Sequence, residues 1–431
     1  MNNFTIPHIE TQGLDVQEKF QLEKLAQLID KLTKQSPFYR KHLAATAHHL
    51  RLSSLKDLAH LPTTTKQHLQ QNTDDFLCVP KEEIAEYMAT SGTLGKPVYI
   101  AMTQADLERL AYNEWLSFNT VGLNKADTVQ LMLTLDRQFM AGTAYYTGLQ
   151  KLGATTIRTG PGLPAMQWET MNNLNTTALV AVPSFLHKMI LFAQQNGLSP
   201  LPSSVKKVLC IGEALRDEHL APNTLAKQIT EKWPVQLFGT YAATEMQTAF
   251  TECAEGAGGH HHPELVITEL LDEHGNQVAP GSEGEVTFTT LGVEAMPLLR
   301  YRTGDICKAY YEPCACGRKT MRLGPVLGRK QQMIKLKGTS LYPPAIFEVL
   351  HAETYIDEYV VELKKDALHQ DELTIFIHTK LSAEACSERL KPIFRHKWRV
   401  MPTLIFLGSE EINKMLFPAQ SRKPVRFRDV R

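Results

Sequence analysis

The stretch that decides the fold begins at residues 98–102, VYIAM, continues through a helix-length segment, Gln104–Val121, and reaches a second apolar run, Val129–Leu135 (VQLMLTL). Short apolar runs separated by longer amphipathic segments predict strands joined by crossover helices, which place the strands parallel in one sheet. The alternation continues toward the middle of the chain and predicts an α/β fold. Its further strands are Ala154–Arg158, Ala178–Val182, Val208–Ile211 and Val235–Phe238, and its further helices include Pro183–Gln195 and Ala221–Trp233.

The sequence changes in character on both sides of this α/β region. Residues 14–46 have leucines at helical spacing and predict a helix that is stopped near Ser36-Pro37. After residue 262 the pattern indicates antiparallel β-structure, with strands at Leu265–Leu271 and Gly284–Thr290. After Gly328 it indicates a small α+β module. The predicted elements of that module are helices at Ile346–Leu350 and Glu384–His396 and strands near Val360–Leu363, Leu373–His378 and Leu404–Leu407.

Composition excludes several classes of protein. The chain has 431 residues, of which 43% are hydrophobic and 21% charged, and such a chain can bury a sizeable core. Its 46 basic and 46 acidic residues give no net charge, so we expect no broad electrostatic binding of nucleic acid. No apolar run is long enough for a membrane helix, and the first residues show no secretory signal pattern. Seven cysteines in so long a chain are not a disulfide framework, and a reducing cytoplasm is expected.

The most informative short motif is Thr90-Ser91-Gly92-Thr93-Leu94-Gly95-Lys96-Pro97. Glycines allow backbone N–H groups to approach a polyphosphate, hydroxyls donate hydrogen bonds, and Lys96 supplies a positive charge. The motif is not a Walker A loop, because Pro97 directs the chain into an extended segment rather than a helix. An ordinary Gly/Ser turn is the more frequent explanation of such a run on its own. Other segments of the chain make a phosphate-binding loop the better explanation.

Together with these segments, the loop resembles the adenylate-forming superfamily, and the whole chain resembles the phenylacetate–coenzyme A ligase family. The similarity begins at Ser36-Pro37-Phe38-Tyr39-Arg40 and at the segment 61–66, and it runs to the last residue. The further segments occur in the family's order, which is more specific than any one of them. They are Gly212-Glu213-Ala214, Tyr241-Ala242-Ala243-Thr244-Glu245, Tyr301-Arg302-Thr303-Gly304-Asp305, Gly328-Arg329-Lys330-Gln331-Gln332 and the tail Arg422–Arg431.

The resemblance implies a role for each segment. Residues 1–328 would form the AMP-binding domain, and residues 329–431 a small mobile domain, joined by a hinge at Gln331. Glu245 would hold Mg²⁺, and Thr244 would donate to a phosphate of ATP, with Lys423 as the catalytic lysine. The nucleotide-binding set would be Ser91, Gly92, Thr93, Gly95, Lys96, Gly212, Glu213, Ala214, Tyr241, Ala242, Thr244, Asp305, Arg329 and Lys423.

Four residues depart from the family's pattern. Ala242 replaces a glycine near the expected acid-binding pocket, and Arg422 replaces the glycine before the catalytic lysine. At the hinge, Gln331 and Gln332 replace two carboxylates, so any ion pair made by those side chains is lost. We therefore expect altered kinetics of domain alternation.

The acyl pocket is expected around residues 139–146, where Phe139, Tyr145 and Tyr146 would line an aromatic slot together with Gly212 and Ala242. An aromatic cluster is more often part of an ordinary core. Because this segment drifts from the phenylacetate pattern, the acid is expected to be a compact aryl or arylalkyl acid that need not be phenylacetate.

Cys253, His260, Cys314 and Cys316 form a candidate zinc set. Three thiolates and one imidazole complete a tetrahedron, as in structural zinc sites, and some relatives carry the same arrangement. His261 or His262 could replace His260, and Cys307 could replace a thiolate. The alternative is that these are buried thiols without a metal.

The resemblance therefore implies an AMP-forming acid–thiol ligase that uses ATP, Mg²⁺ and coenzyme A, with structural Zn²⁺, and that forms a homodimer. No Ser-His-Asp pattern is needed, because a carboxylate is already a nucleophile at neutral pH. Two alternatives stay open. The adenylate could be passed to another acceptor, such as a deazaflavin coenzyme or a carrier protein, or the chain could be a nucleotide-binding relative without turnover.

Overall fold

The computed structural model describes residues 6–49, 52–90, 97–198, 201–336, 339–365, 371–398, 401–418 and 424–431. The predicted phosphate-binding residues Ser91–Lys96 and the predicted catalytic Lys423 lie outside the described residues. The α-helices of the described part are α1 (Leu14–Gln35), α2 (Pro37–His42), α3 (Lys66–Gln71), α4 (Gln104–Thr120), α5 (Met140–Leu152), α6 (Pro164–Asn173), α7 (Pro183–Gln195), α8 (Thr224–Lys232), α9 (Pro343–Ala352), α10 (Ala383–Trp398) and α11 (Ser409–Leu416).

Strands alternate with helices in the first part of the chain and dominate after α8. They are β1 (Thr64–Thr65), β2 (Glu86–Ala89), β3 (Tyr99–Met102), β4 (Thr128–Leu131), β5 (Thr155–Arg158), β6 (Ala178–Ala181), β7 (Lys207–Ile211), β8 (Gln236–Ala243), β9 (Thr248–Glu252), β10 (Gly259–His260), β11 (Val266–Leu271), β12 (Glu283–Thr290), β13 (Tyr301–Tyr310), β14 (Arg322–Leu323), β15 (Gly328–Arg329), β16 (Ile334–Leu336), β17 (Thr339–Leu341), β18 (Ile356–Lys365), β19 (Asp371–Thr379), β20 (Thr403–Phe406) and β21 (Phe427–Asp429).

The largest sheet has the strand order β11-β12-β13-β14-β10-β9-β8-β7-β6-β4-β5, with β1 and β15 also paired to β13. Strands β5, β4, β6, β7 and β8 are parallel to one another, and β9 is antiparallel to β8. The fold class predicted from the sequence is confirmed. In an open parallel sheet, functional groups gather at the carboxyl ends of the strands, so the loops after β4, β7 and β8 are the expected site.

Strand β6, in the middle of the parallel strands, is apolar on both faces because both are covered. All four residues of β6 are buried, and alternate side chains enter different cores. Leu179 and Ala181 pack with the first core, which contains Trp168 and Trp233. Their neighbours on the strand pack with the second core, which surrounds Phe118 and Tyr145. Side chains alternate between the two faces of a strand, and both faces of β6 meet a core, so the strand has no polar face.

One element differs from the sequence-based expectation. Strand β3 does not join the parallel sheet; it pairs antiparallel with β2, its neighbour along the chain, in a separate two-stranded sheet. The predicted stop of the first helix near Ser36-Pro37 is confirmed: α1 ends at Gln35, and the side chain of Ser36 accepts a hydrogen bond from the Tyr39 N–H and so caps a second helix, α2.

The chain divides into two compact units: Met1–Thr303 with Cys307–Val326, and Gly304–Ile306 with Leu327–Arg431. The second unit contains a four-stranded sheet in the order β20-β19-β18-β21, in which β18 and β19 are antiparallel and the two outer strands are parallel to their neighbours. Its core packs helices α9 and α10 on this sheet. Among the residues described here, no helix is both long enough and apolar enough to cross a bilayer.

Candidate functional site

The base of the predicted phosphate loop is closed by two hydrogen bonds between its flanking residues. The Thr90 N–H donates to the carbonyl oxygen of Val98, and the Val98 N–H donates to the Thr90 hydroxyl oxygen, each at 3.0 Å. The ends of the loop are therefore held together before any ligand binds. A loop with fixed ends loses less entropy when it closes on a phosphate chain.

Strand β8 carries the predicted Tyr241, Ala242, Thr244 and Glu245 segment at its carboxyl end. Oε1 of Glu245 accepts a hydrogen bond from the hydroxyl of Tyr301 at 3.2 Å. The Tyr301 ring is 2% exposed and packs against Phe288, so the hydroxyl is fixed in place. Two segments separated by more than fifty residues in the sequence therefore meet at one carboxylate. A carboxylate oriented in this way is a suitable oxygen ligand for Mg²⁺.

Asp305 and Arg329, both predicted to bind the nucleotide, lie opposite each other on the paired strands β13 and β15. The Arg329 Nε donates to Oδ1 of Asp305 at 2.9 Å. Asp305 is 7% exposed, and about half of the Arg329 side chain is exposed. The arrangement places an acceptor for ribose hydroxyls beside a cation suited to a phosphate.

The Gly212-Glu213-Ala214 turn follows β7, and Gly212 has a φ of +77°, which a glycine adopts without strain. Glu213 has a structural contact: its carboxylate accepts hydrogen bonds from the Ser184 N–H and hydroxyl, both at 2.8 Å. It therefore caps the amino end of α7 and ties the loops after β6 and β7 together. A contact of Glu213 with adenine, as predicted, would have to compete with its hydrogen bonds from Ser184.

The predicted acyl-pocket aromatics occupy different environments. Tyr145 is buried with its ring edge-on to Phe118, at 5.9 Å between ring centroids. Phe139 and Tyr146 are half-buried, and the Arg158 guanidinium lies 5.2 Å from the Tyr146 ring centroid. Tyr145 thus belongs to the core beneath the segment, whereas Phe139 and Tyr146 stay partly exposed.

The candidate metal residues converge. The ligand atoms of Cys253, His260, Cys314 and Cys316 all lie within 4.8 Å of one another, and all of these cysteines are free thiols. The Cys253 and Cys314 sulfurs are 3.7 Å apart, and the Cys316 sulfur is 3.5 Å from Nε2 of His260. Hydrogen bonding from Cys253 lowers the pKa of Cys316, while the same contact raises the pKa of Cys253. Soft thiolate and imidazole donors in a closed set of four fit a tetrahedral zinc ion.

The structure also places the alternative ligands elsewhere. Nε2 of His261 lies 2.7 Å from the Val266 carbonyl oxygen, and burial lowers the pKa of His261 to about 4. Nδ1 of His262 lies 2.5 Å from Oε1 of Glu10. Cys307 is buried in the apolar core and does not belong to the cluster. His260 is therefore the histidine that faces the three thiols.

A buried ion pair next to the cluster has no signal in the local sequence. Arg318 donates to Oε2 of Glu10 at 2.7 Å, to the Thr120 hydroxyl at 3.0 Å and, through Nη1, to the Cys316 sulfur at 3.6 Å. Burial raises the pKa of Glu10, but the charge interactions and hydrogen bonds of its partners His262 and Arg318 lower it more. The N-terminal segment is thereby tied to the Cys-x-Cys turn. Only the arginine two residues after Cys316 hints at this pairing in the sequence.

A second buried acid lies in helix α4. Glu114 is 3% exposed; its Oε1 accepts from Asn113 at 3.0 Å, and its Oε2 is buried without a hydrogen-bond partner among the described atoms. Burial raises the pKa of Glu114 to about 8, although hydrogen bonds from Ser117 and Asn113 act in the opposite direction. The folded protein therefore carries this carboxyl protonated at neutral pH.

We expect Glu114→Gln to become more favourable relative to wild type as the pH rises. The pKa of Glu114 is higher in the folded than in the unfolded chain, so its contribution to stability is complete below about pH 4.5 and is lost as the pH approaches 8. The difference in free energy of unfolding between variant and wild type should grow by about 2–4 kcal/mol between about pH 5 and about pH 8. Urea unfolding at both pH values measures it. Glu108→Gln, on the exposed side of the same helix, is the control, and an equal difference at both pH values would contradict the assignment.

The parallel-sheet fold and the acidic and aromatic groups at the carboxyl ends of β7 and β8 indicate a nucleotide-dependent enzyme of the adenylate-forming class. Residues 21–295 match the AMP-binding enzyme family, and the chain belongs to that family. The prediction of an acid–thiol ligase is confirmed with it.

Individual relatives agree with this assignment. The chain is 28% identical to a phenylacetate–coenzyme A ligase of Thermus thermophilus over 89% of its own length and 86% of the relative. It is 29% identical to a phenylacetate–coenzyme A ligase of Aromatoleum evansii over 85% of its length and 82% of the relative. Among solved structures, a 2-hydroxyisobutyryl-CoA ligase in the postadenylation state superposes with a TM-score of 0.83 at 20% identity. That match covers 100% of this chain and 95% of the other. This last similarity supports the fold.

Proposed function

We propose that this protein activates a compact aryl or arylalkyl carboxylic acid with ATP and transfers the acyl group to coenzyme A, releasing AMP and pyrophosphate. The observation that carries the proposal is the contact between Tyr301 and Glu245, because it joins two nucleotide-binding segments at the carboxylate that would hold Mg²⁺. The relatives named as phenylacetate–coenzyme A ligases support an aromatic acid.

In the first half-reaction the substrate carboxylate attacks the α-phosphate, and pyrophosphate leaves. Negative charge grows on the phosphate oxygens, so the protein must supply cations and donors. Glu245 would hold Mg²⁺, which supplies positive charge at the phosphates when bound. Thr244, the hydroxyls of the 91–93 loop and Lys96 would donate to the phosphates, and Lys423 would contact the developing charge. Asp305 would accept from the ribose hydroxyls.

In the second half-reaction the thiol of coenzyme A attacks the acyl carbon of the adenylate, and AMP departs. Water must be excluded, because it would hydrolyse the mixed anhydride. A mobile small domain, hinged at Gln331, would change the catalytic groups between the two steps. Phe139 and Tyr146, with Ala242, would contact the acyl group.

We further propose that Cys253, His260, Cys314 and Cys316 hold a structural zinc ion. The donor set leaves no position for a substrate, so the ion would crosslink the β9–β10 segment to the turn at Cys314–Cys316 rather than take part in catalysis. A homodimer and a cytoplasmic location stay predictions from the sequence.

The proposed function is tested by a pyrophosphate-release screen over aryl, arylalkyl, short fatty and small hydroxy acids, with and without coenzyme A. We expect release with a compact aromatic acid and thiol-dependent formation of AMP and thioester. Glu245→Gln should abolish most of the release, whereas Glu218→Gln, an exposed glutamate, should not. AMP release that needs a carrier protein or a deazaflavin instead of coenzyme A would redirect the proposal to another acceptor. Absence of release with every acid would contradict it.

A further inference from the structure

Arg431 uses its guanidinium to hold the backbone of the predicted hinge. Nη2 donates to the carbonyl oxygen of Gln331 at 2.9 Å, and Nη1 donates to the carbonyl oxygen of Met333 at 3.0 Å. These contacts join residues about a hundred positions apart in the sequence, and all of them lie within the second compact unit. The Gln331 carbonyl belongs to the 3₁₀ turn Lys330–Gln332.

Two carboxylates fix this guanidinium. Asp429 accepts from Nε at 2.9 Å and from Nη2 at 2.6 Å, which is the forked geometry that arginine favours. Asp371 accepts from Nη1 at 3.2 Å, is itself 3% exposed, and also pairs with Lys365 at 2.7 Å. The Arg431 side chain is 19% exposed, so these contacts are partly shielded from water. The arginine is thus pre-positioned before it contacts the hinge.

We propose that Arg431 is a positioning residue that defines where the hinge turns, because it holds the backbone of residues 331–333 on the second unit. The inference rests on the proposed function, in which the small domain turns about Gln331. The carbonyl oxygens of Gln331 and Met333 both lie on the carboxyl side of the Cα–C bond of Gln331, so rotation about that bond moves them together with Arg431. The two hydrogen bonds therefore persist through such a rotation and oppose changes in the backbone torsions between Gln331 and Met333. Rotation is thereby confined to the torsions of Gln331 and of the residues before it.

Among the described residues, the guanidinium of Arg431 contacts backbone carbonyl oxygens and not the side chains of the hinge. This contact does not depend on which side chain occupies position 331, so it is compatible with the glutamine there. Lysine cannot replace the arginine, because one ammonium cannot both fork onto Asp429 and reach two carbonyl oxygens. The proposal thus predicts a requirement for arginine rather than for positive charge.

The test compares Arg431→Ala and Arg431→Lys with Arg428→Ala. Arg428 lies three residues earlier, on β21, is more exposed, and pairs with Glu362 at 3.4 Å, so it is a matched control. We expect hydrogen exchange of the amides in 330–336, measured without substrates, to accelerate by about tenfold in both Arg431 variants. The ratio of the adenylation and thioester-forming rates should shift by a similar factor. Loss of one hydrogen bond to a charged group produces a change of that size.

The outcomes distinguish the role of Arg431 from the proposed function. Unchanged exchange, or equal loss in both half-reactions, would overturn the role of Arg431, and so would full rescue by lysine. Wild-type protein without pyrophosphate release would contradict the proposed function. The exchange measurement would still show whether Arg431 holds the backbone of residues 331–333. Melting temperatures of the variants identify any general unfolding.

Discussion

Lys423→Ala should slow adenylate formation by about 10²–10³-fold while leaving thioester formation from a supplied acyl-adenylate within a few-fold of wild type. The expected loss is that of removing one preorganised group that stabilises transition-state charge. The lysine would contact phosphate oxygens only while pyrophosphate leaves, so the second half-reaction does not need it.

The residues after Lys423 are anchored within the second compact unit. The Val425 N–H donates to the Leu416 carbonyl oxygen at 2.7 Å, and the Arg426 carbonyl oxygen accepts from the Val361 N–H at 2.8 Å. Arg426 also pairs with Glu358 at 2.9 Å. Strand β21 then continues the sheet beside β18.

Single-turnover kinetics with each half-reaction started separately measures the effect. Lys414→Ala is the control, because Lys414 is exposed on α11 and pairs only locally with Glu410 among the described contacts. Equal loss in both half-reactions would show that Lys423 maintains the site rather than serving adenylation. A charge-conserving Lys423→Arg variant should restore only part of the rate, because guanidinium geometry differs from that of an ammonium.

The α/β alternation was readable from the sequence because β6 and β7 are buried on both faces and appear as short apolar runs between amphipathic helices. The pairing of β3 was not, because Tyr99–Met102 is apolar in the same way and only the adjacent β2 decides its partner. Local pattern identifies a strand, and long-range packing selects its neighbour.

The candidate site shows the same division. Ordered motifs predicted the individual residues, but no pattern near Glu245 indicates that Tyr301 orients it. Among three consecutive histidines, the sequence left the choice open. The structure selects His260 because it lies on β10 between β9 and β14, whereas His261 turns toward the Val266 carbonyl oxygen. The Glu10–Arg318 pair spans 308 positions, a separation at which periodicity carries no information.

The second large effect concerns the metal cluster: Cys316→Ser should reduce bound zinc from about one ion per chain to almost none. A hydroxyl is a much weaker zinc ligand than a thiolate, and three remaining ligands do not complete the tetrahedron. The wild-type protein should also lose stability when zinc is removed. If free zinc stands about a thousandfold above the dissociation constant, binding contributes about 4 kcal/mol to the free energy of unfolding. Elemental analysis and thermal unfolding with and without a chelator measure the two effects.

The controls use residues with the same chemistry in other positions. Cys307→Ser alters a buried thiol outside the cluster, so stability should fall while the zinc content stays unchanged. Arg318→Leu removes the donor to the Cys316 sulfur and should weaken zinc retention by about 10–100-fold, since partners that orient ligands have effects of that size. Chelator competition measures that retention. Wild-type protein that is stably folded and free of zinc would exclude the metal and leave a cluster of buried thiols, and then Cys316→Ser and Cys307→Ser should behave alike.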